Sequence, residues 1–113
     1  MKRGEIYLVQ LSPAVGSELR DPHPCVVVQS DLLEHPLRPR TIVVPITSRA
    51  PKYPLPFVVP LQPPDGGLVR PSFALCDQVT RIDKTRVLKS TGQLSDLAML
   101  KIDTALRLAL ELT

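Results

Sequence analysis

The chain has 113 residues, 43% of them hydrophobic and 22% charged, with a formal net charge of +3. That length suits a single domain over residues 1–113 with a modest core, and the composition excludes a disordered chain. No apolar run approaches the roughly 20 residues needed to span a bilayer, and Glu5 interrupts the basic start MKRGEIYLVQL before any small-residue cleavage site, so neither a membrane span nor a signal peptide is expected and the chain reads as cytoplasmic.

The first element is a strand over Glu5–Leu11, EIYLVQL, with apolar residues on both faces. Ser12-Pro13 and Gly16-Ser17 break it and open a loop that runs to Pro24. Within that loop Pro22 and Pro24 flank His23 and restrict its backbone to extended or turn conformations. Cys25–Gln29 is a continuous apolar, β-branched run, as expected of a central strand buried on both faces. Pro36 and Pro39 mark a surface loop before the next strand, Thr41–Ile46, where Pro45 implies an edge position, a bulge or an early end to the ladder. Residues 50–56 are turn-rich, and Phe57–Leu61 is a short strand.

Pro63-Pro64-Asp65-Gly66-Gly67 is the strongest turn signal in the chain. After it, Phe73–Val79 forms a strand that runs into Thr80-Arg81-Ile82-Asp83-Lys84. Five or so short strands between Pro/Gly loops predict a mainly β fold, a small and strongly curved antiparallel sheet or barrel. The final element differs. Ser95 suits an N-cap and Asp96 a first turn. Leu97, Leu100, Ala105, Leu108 and Leu112 recur near helical spacing, with Met99, Ile102, Leu106 and Leu110 widening the face, which predicts a C-terminal helix over residues 96–113 of about four turns. Its apolar surface is broader than one sheet face requires; either it packs deeply or part of it meets a second subunit.

Cys25 and Cys76 both lie in apolar strand-like runs and are expected to be buried, reduced thiols. Only His23 is near Cys25, with one residue between them, so no metal site is expected. Charge is unevenly spread. Residues 36–54 carry Arg38, Arg40, Arg49 and Lys52 with no acid, and residues 78–89 carry Arg81, Lys84, Arg86 and Lys89 against Asp83 alone. Two basic segments on a small domain suit a polyanion partner such as nucleic acid, and ordinary solvated loop charge explains them equally.

Cleavage of RNA without a metal needs few groups: a base for the ribose 2′-hydroxyl, an acid for the leaving 5′-oxygen, and donors for the phosphoryl oxygens. Histidine suits proton transfer because its unperturbed pKa of about 6.5 lies near neutrality. The arginine fork matches two phosphate oxygens. His23, Arg20, Thr47 and Glu18 are the side chains on or beside the loop that supply such groups. Taken singly, each also has an ordinary structural role: Thr47-Ser48 as turn chemistry, Glu18 as a cap, Arg20 paired with a neighbouring acid. His35 has no evident partner and receives no role.

The blocks KRGEIYLVQLSP, VGSE, HPCVVVQSD, RTIVVPITS and LCDQVTRIDKTRV, in this order and spacing, resemble the MazF/PemK family of toxin endoribonucleases over most of the chain. The resemblance implies a CcdB/MazF-like fold, an SH3-like small antiparallel barrel with a C-terminal helix. It further implies a homodimer, a MazE-like cognate antitoxin whose disordered tail occupies the RNA groove, and sequence-specific, metal-independent cleavage of single-stranded RNA, with no cofactor, to 2′,3′-cyclic phosphate and 5′-hydroxyl ends. Two positions usually carry the chemistry in that family: an arginine just before the proline that opens the second strand, and a threonine that ends the next conserved strand. The threonine corresponds to Thr47. The arginine position holds His23, so the chain departs from the pattern there.

Three readings follow: His23 does the acid–base work with Arg20 supplying charge and Glu18 orienting the ring; the activity is weakened or altered; or the chain binds RNA or its antitoxin without cutting. For RNA contacts the resemblance points to Gln78 and Arg81 in the conserved DQVTRIDK segment, with Ser48 and Arg49 at the end of the Thr47 strand. Few aromatic residues are available for base stacking, so phosphate contacts and a salt-sensitive interaction are expected. The rival from another class is a non-catalytic protein of the same fold that grips a protein target, as the gyrase-poisoning relatives do. A generic RNA-binding barrel explains the charge but not Thr47 or the loop pattern.

Overall fold

The computed structural model describes residues 1–10, 22–52 and 55–112. Glu18, Arg20, Tyr53 and most of the loop between the first two strands lie outside the described residues. Along the chain run β1 (Glu5–Val9), β2 (His23–Val27), β3 (Arg40–Thr47), β4 (Val58–Leu61), β5 (Ser72–Leu75), β6 (Thr80–Asp83), β7 (Val87–Gln93) and α1 (Asp96–Leu110). The strands pair antiparallel in the order β4-β5-β3-β2-β1-β7, with β6 also on β3.

The continuous apolar runs became the centre of this sheet, because strands buried on both faces need side chains that avoid water on both. Val26, Val44 and Ile46 face the larger core, shared with Ile6, Val59, Leu61, Ala74 and the inner face of α1. Their sequence neighbours Cys25, Val27 and Val43 face a smaller core with Val9 and Ile82. Alternation along β2 and β3 thus feeds two apolar clusters from one pair of strands.

Pro45 does not mark an edge. β3 pairs with β6 through Arg40–Val43 and with β5 through Ile46–Thr47, and Pro45 falls where the partner changes. The missing N–H is tolerated because the ladder ends there, one of the three alternatives the proline allows. Pro60 does sit on an edge strand, β4.

The barrel is not closed by strand pairing, since β4 and β7 remain the two ends of the path. The 3₁₀ turn Asp65–Gly67 spans toward β7 instead. Gly67, at φ +76°, approaches so closely that a Cβ there would stand 2.1 Å from the Thr91 carbonyl oxygen. Asp65 then holds the start of α1, accepting the backbone N–H and the hydroxyl of Ser95, each at 2.8 Å.

Two features differ from expectation. β7, VLKSTGQ, is largely exposed and polar, so it carries no apolar period to reveal it. The run Phe73–Val79 is split: β5 ends at Leu75 and a 3₁₀ turn over Cys76–Gln78 leads to β6. The helix is capped by Ser95, whose Oγ accepts the Ala98 N–H at 3.2 Å, and it stops at Leu110 because Glu111 turns left-handed and Leu112 N–H returns to the Arg107 carbonyl.

The buried stripe of α1 is Ala98, Met99, Ile102 and Ala105, whereas Leu97, Leu100, Leu108 and Leu110 are exposed. Small alanines bring the helix close to the sheet, and the leucine stripe is left facing outward. Arg3 fixes the helix from β1's side, with Nη2 2.6 Å from an Asp103 carboxylate oxygen and Nε donating to the Val28 carbonyl at 2.9 Å.

Candidate active site

His23 opens β2 opposite Val9 of β1. The β2–β3 register pairs Cys25 with Pro45 and Val26 with Val44. Carried two residues further, the same register sets His23 across from Thr47, the last residue of β3. Both line one cavity of about 530 Å³, together with Ser48, Arg70 and Ser72 and an apolar wall of Ile46, Leu68, Val69 and the prolines 22 and 24. The strands bring the two together because Pro24, which lacks an N–H, lies just before the β2–β3 ladder begins, and Thr47 ends β3 where the chain turns away.

Thr47 Oγ1 accepts the backbone N–H of Arg49 at 3.1 Å. This turn holds the hydroxyl in place, and among the described residues its own hydrogen has no acceptor. His23 is half-buried. Its Nε2 is buried and has no hydrogen-bond partner among the described residues. An unpaired buried polar atom costs about 1–3 kcal/mol. Among the described residues no Asp or Glu lines the cavity, and Arg70 is its one arginine.

Of the other residues singled out in the sequence, Ser48 lines the cavity, whereas Arg49 does not and contributes only the backbone N–H donated to Thr47 Oγ1. Gln78 ends the 3₁₀ turn after β5, and Arg81 lies on β6 opposite Ile42; both are exposed and neither lines the cavity. Ile42 stands five positions from Thr47, roughly 17 Å at the rise of a strand. The second basic segment is partly committed to the fold: Lys84 bonds the Glu34 carboxylate at 2.7 Å, and Arg86 donates to the Gln10 carbonyl.

Arg70 and Ser72 are the cavity residues that sequence reasoning passed over. Their segment, GGLVRPS, is irregular, and its one signal is an arginine fixed between a glycine turn and a proline just before a strand. The cysteines are free and buried, and burial pushes both thiols up to about 12. Among the described residues no three His, Cys, Asp or Glu side chains gather as a metal site. Two more apolar cavities, of about 330 and 340 Å³, lie along β4, one against α1 and the other beside Ala50, Pro51 and Phe73, and carry no comparable set of proton-transfer groups.

The family described as PemK-like, MazF-like toxin of type II toxin-antitoxin system matches residues 2–110. The chain is 38% identical over 112 residues to the protein Endoribonuclease EndoA of Bacillus subtilis (strain 168), covering 99% of this chain and 96% of that one. Among solved structures it superimposes with a TM-score of 0.78 on a mycobacterial endoribonuclease in complex with its cognate antitoxin, at 22% identity, covering 100% of this chain and 97% of that one. A MazE-MazF structure from Deinococcus radiodurans gives a TM-score of 0.79 at 22% identity, with the same coverage of 100% and 97%.

Proposed function

This chain belongs to the PemK-like, MazF-like toxins of type II toxin–antitoxin systems, and on that premise we propose that it is an endoribonuclease toxin that cuts single-stranded RNA at chosen sequences without a metal. The observation that carries this reading is the meeting of His23 and Thr47 at adjacent strand ends on the wall of one cavity.

The reaction needs no group beyond those at hand. The ribose 2′-oxygen attacks the adjacent phosphorus and loses its proton; the bond from phosphorus to the 5′-oxygen breaks, and that oxygen gains a proton. The products are a 2′,3′-cyclic phosphate and a 5′-hydroxyl. His23 exchanges the proton, since an imidazole can both take and give one near neutrality. Thr47 donates its free hydroxyl hydrogen to a phosphoryl oxygen. Ser48 and Arg49 flank the site, while Gln78 and Arg81 receive the RNA further along the sheet. Glu18 and Arg20, on the loop before His23, are further proposed members of the site.

A MazE-like antitoxin is the proposed inhibitor, supported by the antitoxin complexes of the mycobacterial and deinococcal structures. The outward leucine stripe of α1 suits a second copy of the chain in a homodimer. No helix of the described residues is long and apolar enough to cross a membrane.

The test is incubation of the pure protein with a long single-stranded RNA in EDTA, followed by mapping of the ends. Discrete cuts with 5′-hydroxyl ends are expected. RNA bound but uncut would sink the nuclease reading in favour of a toxin-fold protein that binds RNA, or a protein target such as gyrase, without cleaving.

A further inference from the structure

We infer that Arg70 is the guanidinium that grips the RNA phosphate beside His23, reaching the site from the loop between β4 and β5. This inference rests on the endoribonuclease reading above and adds a residue to its site.

Place is the first argument. Arg70 lines the same cavity as His23 and Thr47. Availability is the second. Several cations of this chain are committed elsewhere: Arg3 to Asp103, Lys84 to Glu34, Arg86 to the Gln10 carbonyl. Among the described residues the Arg70 side chain has no acid and no carbonyl partner, and no carboxylate lines the cavity to neutralise it. An arginine lining a cavity whose described walls carry no acid suits an anion.

The third argument is that the loop is held before any ligand arrives. Gly67 N–H donates to the Pro64 carbonyl at 2.9 Å and Leu68 N–H to the Asp65 carbonyl at 3.1 Å. Asp65 is tied to Ser95 at the start of α1. On the far side Ser72, 4% exposed, donates its hydroxyl to the Arg70 carbonyl at 3.0 Å. Pro71 keeps Arg70 out of the helical region. A backbone already fixed spares the loop its own ordering cost when Arg70 grips a phosphate, and the guanidinium's planar fork meets two oxygens at once. On this reading proton exchange comes from β2 and charge from the β4–β5 loop.

The experiment compares Arg70→Ala, Arg70→Lys and, as the control, Lys101→Ala with the parent in two assays. One is single-turnover cleavage of RNA. The other is binding of a mixed-sequence 2′-O-methyl RNA, which lacks the attacking hydroxyl and so reports affinity whether or not cutting occurs. Arg70→Ala should lower the salt slope of log K by about 0.7, the loss of one phosphate contact, and slow cleavage by at least about 10²-fold. Arg70→Lys should recover affinity more than rate, because an ammonium does not make the forked contact. Lys101→Ala, on an exposed side chain of α1, should leave both the slope and the rate unchanged.

If Arg70→Ala loses affinity but cleaves like the parent, Arg70 is an ordinary surface charge and the inference is overturned. It is overturned as well if slope and rate are both unchanged. A parent that fails to cut at all defeats the endoribonuclease reading. In that case the binding assay still decides whether Arg70 holds a phosphate.

Discussion

Gly67→Ala is the sharpest perturbation available away from the reacting groups. By exposure alone Gly67 is a surface residue, and substitutions at ordinary surface positions stay within about 0.5 kcal/mol. The geometry says otherwise. A Cβ at this position lies 2.1 Å from the Thr91 carbonyl oxygen and 3.0 Å from its carbon, both backbone atoms that cannot rotate away. Close carbon–oxygen contacts are about 3.3 Å or longer, so the turn and β7 must part by more than about 1 Å. The left-handed φ of +76° adds about 1–2 kcal/mol for any residue with a Cβ.

Overpacking of this kind costs about 1–3 kcal/mol, which brings the total to roughly 2–5 kcal/mol. At about 4 °C per kcal/mol for a domain of this size, the melting temperature should fall by roughly 8–20 °C. The assay is thermal unfolding followed by circular dichroism at one fixed protein concentration, with Gln62→Ala, on an exposed side chain of the same loop, as the control. A Gly67→Ala protein that melts within about 2 °C of the parent would refute the close approach of the turn to β7 and, with it, the claim that the Arg70 loop is held rigidly.

The remaining expectations are narrower. His23→Ala should slow cleavage by about 10²–10⁴-fold while leaving RNA affinity nearly unchanged, and Thr47→Val should cost less; a fully active His23→Ala enzyme would move proton exchange to another residue. Iodoacetamide at pH 8 should leave Cys25 and Cys76 unlabelled in the native protein, since burial holds both thiols at about 12, and mass spectrometry should find both labelled once urea unfolds the chain. The hydrogen bond from Lys84 holds the Glu34 carboxyl below its ordinary value. A carboxyl lowered in the folded state contributes stability that is present above its unfolded pKa, about 4.3 for Glu, and is lost as pH falls through the folded value. Glu34→Gln should therefore weaken the protein at neutral pH and converge with the parent in acid; a gap that stayed constant across the acid limb would contradict this. Ser95→Ala should lose about 1 kcal/mol by urea unfolding, with intact stability arguing that the helix start is held by Asp65 alone.

The parts of the fold that were legible in the sequence are those with a strong local pattern. The valine and isoleucine runs of β2 and β3 announced strands buried on both faces, and Ser95 announced the helix start. Pro45 was legible as a break in a ladder, but its place between two successive partners of β3 depends on pairings distant in sequence. β7 escaped because an exposed edge strand has no apolar face to repeat. On α1 the leucines carried the stronger hydrophobic signal, yet the alanines were buried, since close approach of a helix to a sheet selects small side chains and no periodicity count registers that preference. His23 and Thr47 were legible as candidates through residue type and family resemblance, and their facing positions follow from register. Arg70 was not legible: it stands in an irregular segment, and only the folding of that segment against β7 and α1 sets it beside residues far from it in sequence.

The pairing of β1 with β7 has a consequence for how such a protein is made. β1 leaves the ribosome well before β7, but one of its edges is answered by residues 87–93, and the larger core is covered by residues 98–105. Joining segments so distant carries a loop-closure cost that is met only when the last contacts form. A nascent chain halted before β7 therefore has an open strand edge, an uncovered core and no β7 for the Arg70 loop to rest on; truncated at Arg86, it should show no cooperative melting. The strand ends that carry His23 and Thr47 are thus expected to take their places only once β7 and α1 have been made.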